Sequence, residues 1–173
     1  GGYGAVRLLP SLRFAGHQNP PLIVGFSDIS LLLAHAAQRY GWPAAHGPNV
    51  STLASLDAGS TRALRHFLDS NSFLPLAGMR CVRQGRVSGP LLPMNLTLLL
   101  SVVGTPFEVD LDGAILVLEE TGEAPYRIDR MLQQLRFLSG AQRLAGLVFG
   151  DLAGCGEHPV IKGTVAGLAE SLG

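Results

Sequence analysis

Three short apolar runs constrain this chain more than any other feature: "PPLIVGF" at residues 20–26, "GAILVLEE" at 113–120 and "LAGLVFG" at 144–150. None alternates apolar with polar residues, so each suits a strand buried on both faces, as in a parallel sheet. Helical patterns lie between them. Ile29, Leu32, Leu33, Ala36 and Tyr40 recur at helical spacing, and Gly41 and Pro43 end that helix. Pro125 suits a first helical turn; Ile128, Met131, Leu132, Leu135 and Leu138 form an apolar face, and Gly140 closes it. Ile161, Val165, Leu168 and Leu172 mark a last helix. Strands alternating with helices predict an α/β architecture.

Other segments fill in the order. "AAHGP" around His46 reads as a short strand or turn, and "STRALRHFLDS" as a helix with Ser60 as a candidate N-cap. "MNLTLLLSVVG" reads as helical and closed by Gly104. Residues 76–88 carry Arg80, Arg83 and Arg86 with Gly78 and Gly85, and suit a strand pair or a connection. The expected organisation is an N-terminal unit over 1–76, a connection over 77–88 and a second α/β unit over 89–173. The chain opens Gly-Gly-Tyr-Gly without methionine and ends "AESLG", so it reads as cut from something longer.

Composition limits the partners. Thirteen basic and thirteen acidic residues cancel, which leaves no basic surface for nucleic acid. The apolar run around 96–103 is far short of the ~20 residues that cross a bilayer. Cys81 and Cys155 are far apart, so neither a disulfide framework nor a Cys-rich zinc module is expected; a reducing compartment suits them better. No histidine pair has metal-ligand spacing and no glycine fingerprint marks a nucleotide, so no metal and no cofactor are expected.

"VGFSDIS" places Ser27 where a strand turns into a helix. Gly25 permits a sharp turn that would present the hydroxyl at the strand end, with backbone N–H groups nearby for an oxyanion. The position two residues after the serine, glycine in α/β-hydrolase elbows, is Ile29 here. The heptapeptide equally suits a capped helix, with Ser27 or Asp28 as the cap. Glu119 and Glu120 end a buried strand, where ionised groups are costly unless paired. Successive strand residues face opposite ways, so only one of the two serves a given site. Arg127 and Arg130 on the next helix are candidate partners for them. Of five histidines, His35 and His66 fall inside helices and His17 and His158 in loops; His46 alone has a tight Gly-Pro setting near Ser27.

Together these segments resemble the LD-carboxypeptidases, serine peptidases of bacterial cell-wall recycling. The matching pieces, in order, are "GGYGAVRLLP", "LIVGFSDIS", "HGP", "NLTLLLSVVGTPF", "ILVLEE", "EAPYRIDRMLQQL" and "LAGLVFGDLAGC". The resemblance implies a flavodoxin-like N-terminal parallel-sheet domain, incomplete here, followed by a truncated α/β C-terminal domain. It implies Ser27 as nucleophile, Glu119 as the triad carboxylate, and an oxyanion hole from the amides of Asp28 and of Gly1 or Gly2. In that reading Asp28 matters through its amide, not its carboxylate. Asn95 is implied in substrate binding. The triad histidine is expected beyond Gly173, which would leave this chain inactive alone. The implied substrate is the murein tetrapeptide, cut at its L-centre–D-Ala amide in the cytoplasm by a homodimer. Pro93-Met94 stands where the family usually has Gly-Gly, which leaves substrate preference open. The alternatives are a microcin-type peptidyl-nucleotide amide hydrolase and an inactive partial homologue that only binds.

Overall fold

The computed structural model describes residues 2–14, 18–76, 78–156 and 159–171. Gly1, His17 and His158 lie outside the described residues. The chain order is α1 (Ala5–Leu8), β1 (Ile23–Gly25), α2 (Ser30–Tyr40), β2 (Ala44–His46), α3 (Ala58–Ser70), β3 (Leu91–Asn95), α4 (Leu96–Ser101), β4 (Ile115–Thr121), α5 (Pro125–Phe137), β5 (Gly146–Ala153) and α6 (Pro159–Ser171). All strand pairing is parallel. β1 pairs with β2, and a second sheet runs in the order β3-β4-β5. The α/β architecture expected from the three apolar runs is therefore the one observed.

The local signals for α2 and α5 hold. Gly41 ends α2 in a left-handed conformation (φ 66°), and Pro125 occupies the first turn of α5. Ile128, Leu132 and Leu135 are fully buried. They join Met94, Leu116 and Leu118 in a cluster that also takes in Leu9 of the N-terminal segment and Leu31 and Ala34 of α2. α2 is thus packed onto the β3-β4-β5 half. Gln38 adds two hydrogen bonds to the backbone of Asp110, at 2.8 and 3.0 Å.

Several expectations need correction. "MNLTLLLSVVG" is not one helix: Met94 and Asn95 end strand β3 (Leu91–Asn95), and α4 is only Leu96–Ser101. A proline within a strand lacks a ladder donor, but among the described residues β3 pairs on one side only. The Asn95 N–H, two residues on and so on the same strand side, leaves the sheet for Ser30 Oγ. The donor that proline lacks would have pointed away from β4, where none is needed. The cap of α3 is Asp57, not Ser60: Asp57 Oδ1 accepts from the amides of Gly59 and Ser60. α5 ends at Phe137, before Gly140, which instead precedes a short 3-10 turn. The described residues between 76 and 88 form no strand. The apolar runs are not buried on both faces. β4 alternates, with Leu116 and Leu118 buried and Ile115 and Val117 partly exposed, and Val24 of β1 is 36% exposed. Helices cover one face of these strands fully, so an all-apolar run overstates the cover.

Candidate active site

Parallel strands bring their carboxyl ends to one edge of a sheet, where ligands of such folds bind. Gly25, His46, Asn95 and Glu119 stand at or beside those ends. Register makes Gly25 the partner of His46 and Asn95 the partner of Glu119.

Ser27 follows β1 at φ 57°, a left-handed conformation that non-glycine residues adopt rarely and at a cost of about 1–3 kcal/mol. It opens a 3-10 turn, Ser27–Ile29, that runs into α2. The glycine at 25 has a physical cause. A Cβ there would lie 2.7 Å from Ile29 Cγ2, so the isoleucine that departs from the hydrolase pattern itself requires glycine at 25. The capping alternative does not hold, because no side-chain cap bond is made at the start of the turn or of α2. Strain without a cap is a feature that nucleophile elbows share and ordinary capped helix starts do not need.

Asp28 does something the sequence did not show. It is buried, and its Oδ2 accepts a hydrogen bond from the Ala5 amide at 2.9 Å. Its carboxylate therefore ties the opening glycine loop to the residue after the serine. In that loop Gly2 and Gly4 have φ 125° and 117°, with no atom within 4 Å of a would-be Cβ at either. The emphasis on the Asp28 amide alone is corrected by this bond.

The two glutamates separate as strand geometry requires. Glu120 is buried and fully partnered: Oε1 accepts from Asn95 Nδ2 and the Thr121 amide, both at 2.9 Å, and Oε2 from the amide and hydroxyl of Thr97 at 2.9 and 2.7 Å. Glu119 has the opposite character. Its Oε1 is buried without a hydrogen-bond partner, and so is His46 Nε2, 3.9 Å away. Burial pushes the Glu119 carboxyl above its usual range; the adjacent Asn95 side chain works against this, and Glu120 and Asp151 add to it. Burial lowers His46 below its ordinary value. The pairing of β4 with β5 slips next to Glu119, between Leu118 and Glu120, an irregularity of the kind that re-aims a side chain.

The arginines expected near these carboxylates are elsewhere. Arg127 pairs with Glu123 at 3.3 Å, and Arg130 lies over the Tyr126 ring. Asn95 is buried; its Oδ1 caps α4 through the Leu98 amide at 3.1 Å. Ser30, whose hydroxyl receives the Asn95 amide at 3.3 Å, had no signal beyond its place on a helix. His35 is a packing residue with its ring against Tyr40 and Phe107, and His66 bonds surface serines. Among the described residues no group of three or more potential ligands is arranged to hold a metal.

This edge-of-sheet site sits on a fold also seen in known proteins. An MccF-like protein from Bacillus anthracis superposes with a TM-score of 0.82 at 21% identity, covering 98% of this chain and 61% of that one. The muramoyltetrapeptide carboxypeptidase of Oxalobacter formigenes gives 0.76 at 27% identity, covering 98% and 62%. The chain belongs to the LD-carboxypeptidase family: residues 1–47 match the model of its N-terminal domain and residues 88–171 that of its C-terminal domain. The murein tetrapeptide carboxypeptidase of Pseudomonas aeruginosa is 36% identical over 174 residues, 92% of this chain and 56% of that protein. The chain spans about half the length of the curated relatives it matches.

Proposed function

We propose that these residues form part of a serine-type LD-carboxypeptidase that removes the terminal D-alanine from murein tetrapeptide. The observation that carries the reading is the strained Ser27 at the strand-to-helix junction. The names of the relatives from Pseudomonas aeruginosa and Oxalobacter formigenes support the substrate class.

Ser27 Oγ attacks the carbonyl carbon of the L-centre–D-Ala amide, and a histidine takes its proton. Glu119 orients that histidine and stabilises its charged form. The tetrahedral oxyanion rests on the amides of Asp28 and of the Gly1–Gly2 loop, held in place by the Asp28–Ala5 bond. The histidine then protonates the departing amine. D-Alanine leaves, and water hydrolyses the acyl-enzyme. Asn95 contributes to substrate contact with the capacity left after Nδ2 donates to Glu120 and Oδ1 accepts from the Leu98 amide. The histidine of this proposal is the one the family resemblance implies beyond Gly173, so the activity is proposed for the full-length protein. The units over 1–76 and 89–173, a homodimeric state and a cytoplasmic site of action belong to the same proposal. Among the described residues no helix is long and apolar enough to cross a membrane.

The test supplies the full-length protein with murein tetrapeptide and measures released D-alanine. Release that disappears in Ser27→Ala supports the reading; no release, or release unaffected by that change, rejects it. A peptidyl-adenylate assayed in parallel separates the microcin-type activity, for which the likeness to the MccF-like structure shows the fold alone.

A further inference from the structure

We propose that His46 is a positioning residue for Glu119, its Nε2–H closing onto Glu119 Oε1 when substrate fills the site. The proposal rests on the reading of Glu119 as the triad carboxylate. It starts from two buried polar atoms that lack partners and face each other. His46 Nε2 and Glu119 Oε1 are both without a hydrogen bond and are separated by 3.9 Å, about 1 Å beyond a normal N–H···O bond. Native structures leave few buried polar atoms unsatisfied, and two adjacent ones at a strand edge call for a cause. Catalytic hydrogen bonds are often long in unliganded enzymes and tighten when substrate binds.

The placement of the two residues says what such a bond would do. His46 is the register partner of Gly25, and the Gly47 amide bonds the Gly25 carbonyl at 2.9 Å, so His46 is fixed to the strand that launches Ser27. Glu119 belongs to β4 in the other sheet. A bond between them joins the nucleophile's strand to the carboxylate's strand directly across the site. It also frees Glu119 Oε2 to orient the triad histidine, while Oε1 is held. Glu120 cannot do this, because each of its oxygens is already committed to α4, Asn95 or its own strand.

Both arms of the test use the full-length protein. In the kinetic arm, His46→Leu keeps the volume and removes the donor. It lowers kcat on murein tetrapeptide on the order of 10–100-fold, the effect of a displacement of about 1 Å at a catalytic group, and leaves KM unchanged. His46→Gln, whose amide restores a donor near the Nε2 position, recovers most of kcat. A wild-type kcat in His46→Leu, or equal loss in the Leu and Gln variants at matched thermal midpoints, overturns the proposal. In the spectroscopic arm, with 15N-labelled histidine and murein tetrapeptide bound to the uncleaving Ser27→Ala background, His46 Nε2 is the protonated ring nitrogen and its resonance moves when Glu119→Ala is added but not when Glu123→Ala is added. An unprotonated Nε2, or a resonance indifferent to Glu119, overturns the proposal even if a kinetic variant fails to fold. Failure of the wild type to cleave tetrapeptide that it binds would instead strike the proposed function, and the resonance arm with that peptide bound would still decide the His46–Glu119 bond.

Discussion

The two faces of β4 carry the same kinds of residue and use them differently. On one face Leu116, Leu118 and Glu120 are buried, and every oxygen of the glutamate has donors from Asn95, Thr97 or Thr121. On the other, Ile115, Val117 and Glu119 are partly exposed, and the glutamate faces His46 across a gap. A carboxylate with all its bonds made holds the structure in place, here by clamping α4 onto the sheet. A carboxylate with an unmet oxygen and a pKa raised by burial is a candidate for chemistry.

The comparison is tested most severely by activity. Ser27→Ala in the full-length protein is expected to lower kcat by about 10^6-fold, and Glu119→Gln by about 10^4-fold, read as D-alanine release. Both proteins should unfold near the wild-type temperature, since neither residue is fastened by its side chain. If Glu119→Gln kept its activity and lost its stability, the assignment of the two faces would be reversed.

Glu120→Ala is the converse. It leaves buried donors of Asn95 and Thr97 unmatched and should cost about 3 kcal/mol or more, seen as a lower midpoint in urea. The elbow offers a finer test. Gly25→Ala brings a Cβ against Ile29 and should cost about 1–3 kcal/mol by overpacking. Adding Ile29→Ala should return part of that loss, and a double-mutant cycle without coupling would show that the contact is not what requires glycine.

The smallest expected effect is on pH dependence. The Glu119 pKa is raised, so the folded state holds its proton longer than the unfolded chain does. Its contribution to stability is present in acid and is lost as pH rises through the folded value. The His46 pKa is lowered, so its contribution is lost as pH falls below the ordinary histidine value toward the folded one. Glu119→Gln should flatten the first dependence and His46→Leu the second, measured as chemical stability against pH. Glu120→Gln, which removes one of the charges that raise Glu119, should weaken the first dependence and leave the second in place.

Much of this was legible from local pattern. Gly41, Pro125 and the spacing of Ile128, Leu132 and Leu135 placed two helices, because caps and periodicity act within a few residues. β3 was missed because Met94 and Asn95 run straight into the apolar residues of α4 and read as its first turn, and only the pairing with β4 shows a strand there. The Asp57 cap was missed for its neighbour Ser60, since several residue types cap and only backbone geometry chooses among them. At the site, local pattern left Ser27 between a helix cap and a nucleophile; its positive φ and the crowding of Gly25 by Ile29 are features that only the folded chain shows. Order along the chain relative to "GGYGA" and "ILVLEE" had already favoured it.

What the amino-acid sequence determined alone was the alternation of strand and helix, the junction at Ser27, and the rule that Glu119 and Glu120 face opposite ways. These follow from backbone periodicity and the chemistry of adjacent residues. Which glutamate is clamped and which is open was decided only in three dimensions. That outcome depends on Asn95, Thr97 and His46, brought to the two glutamates from 23 or more positions away by parallel pairing and by packing of α2 and α4, and no local pattern encodes such distances.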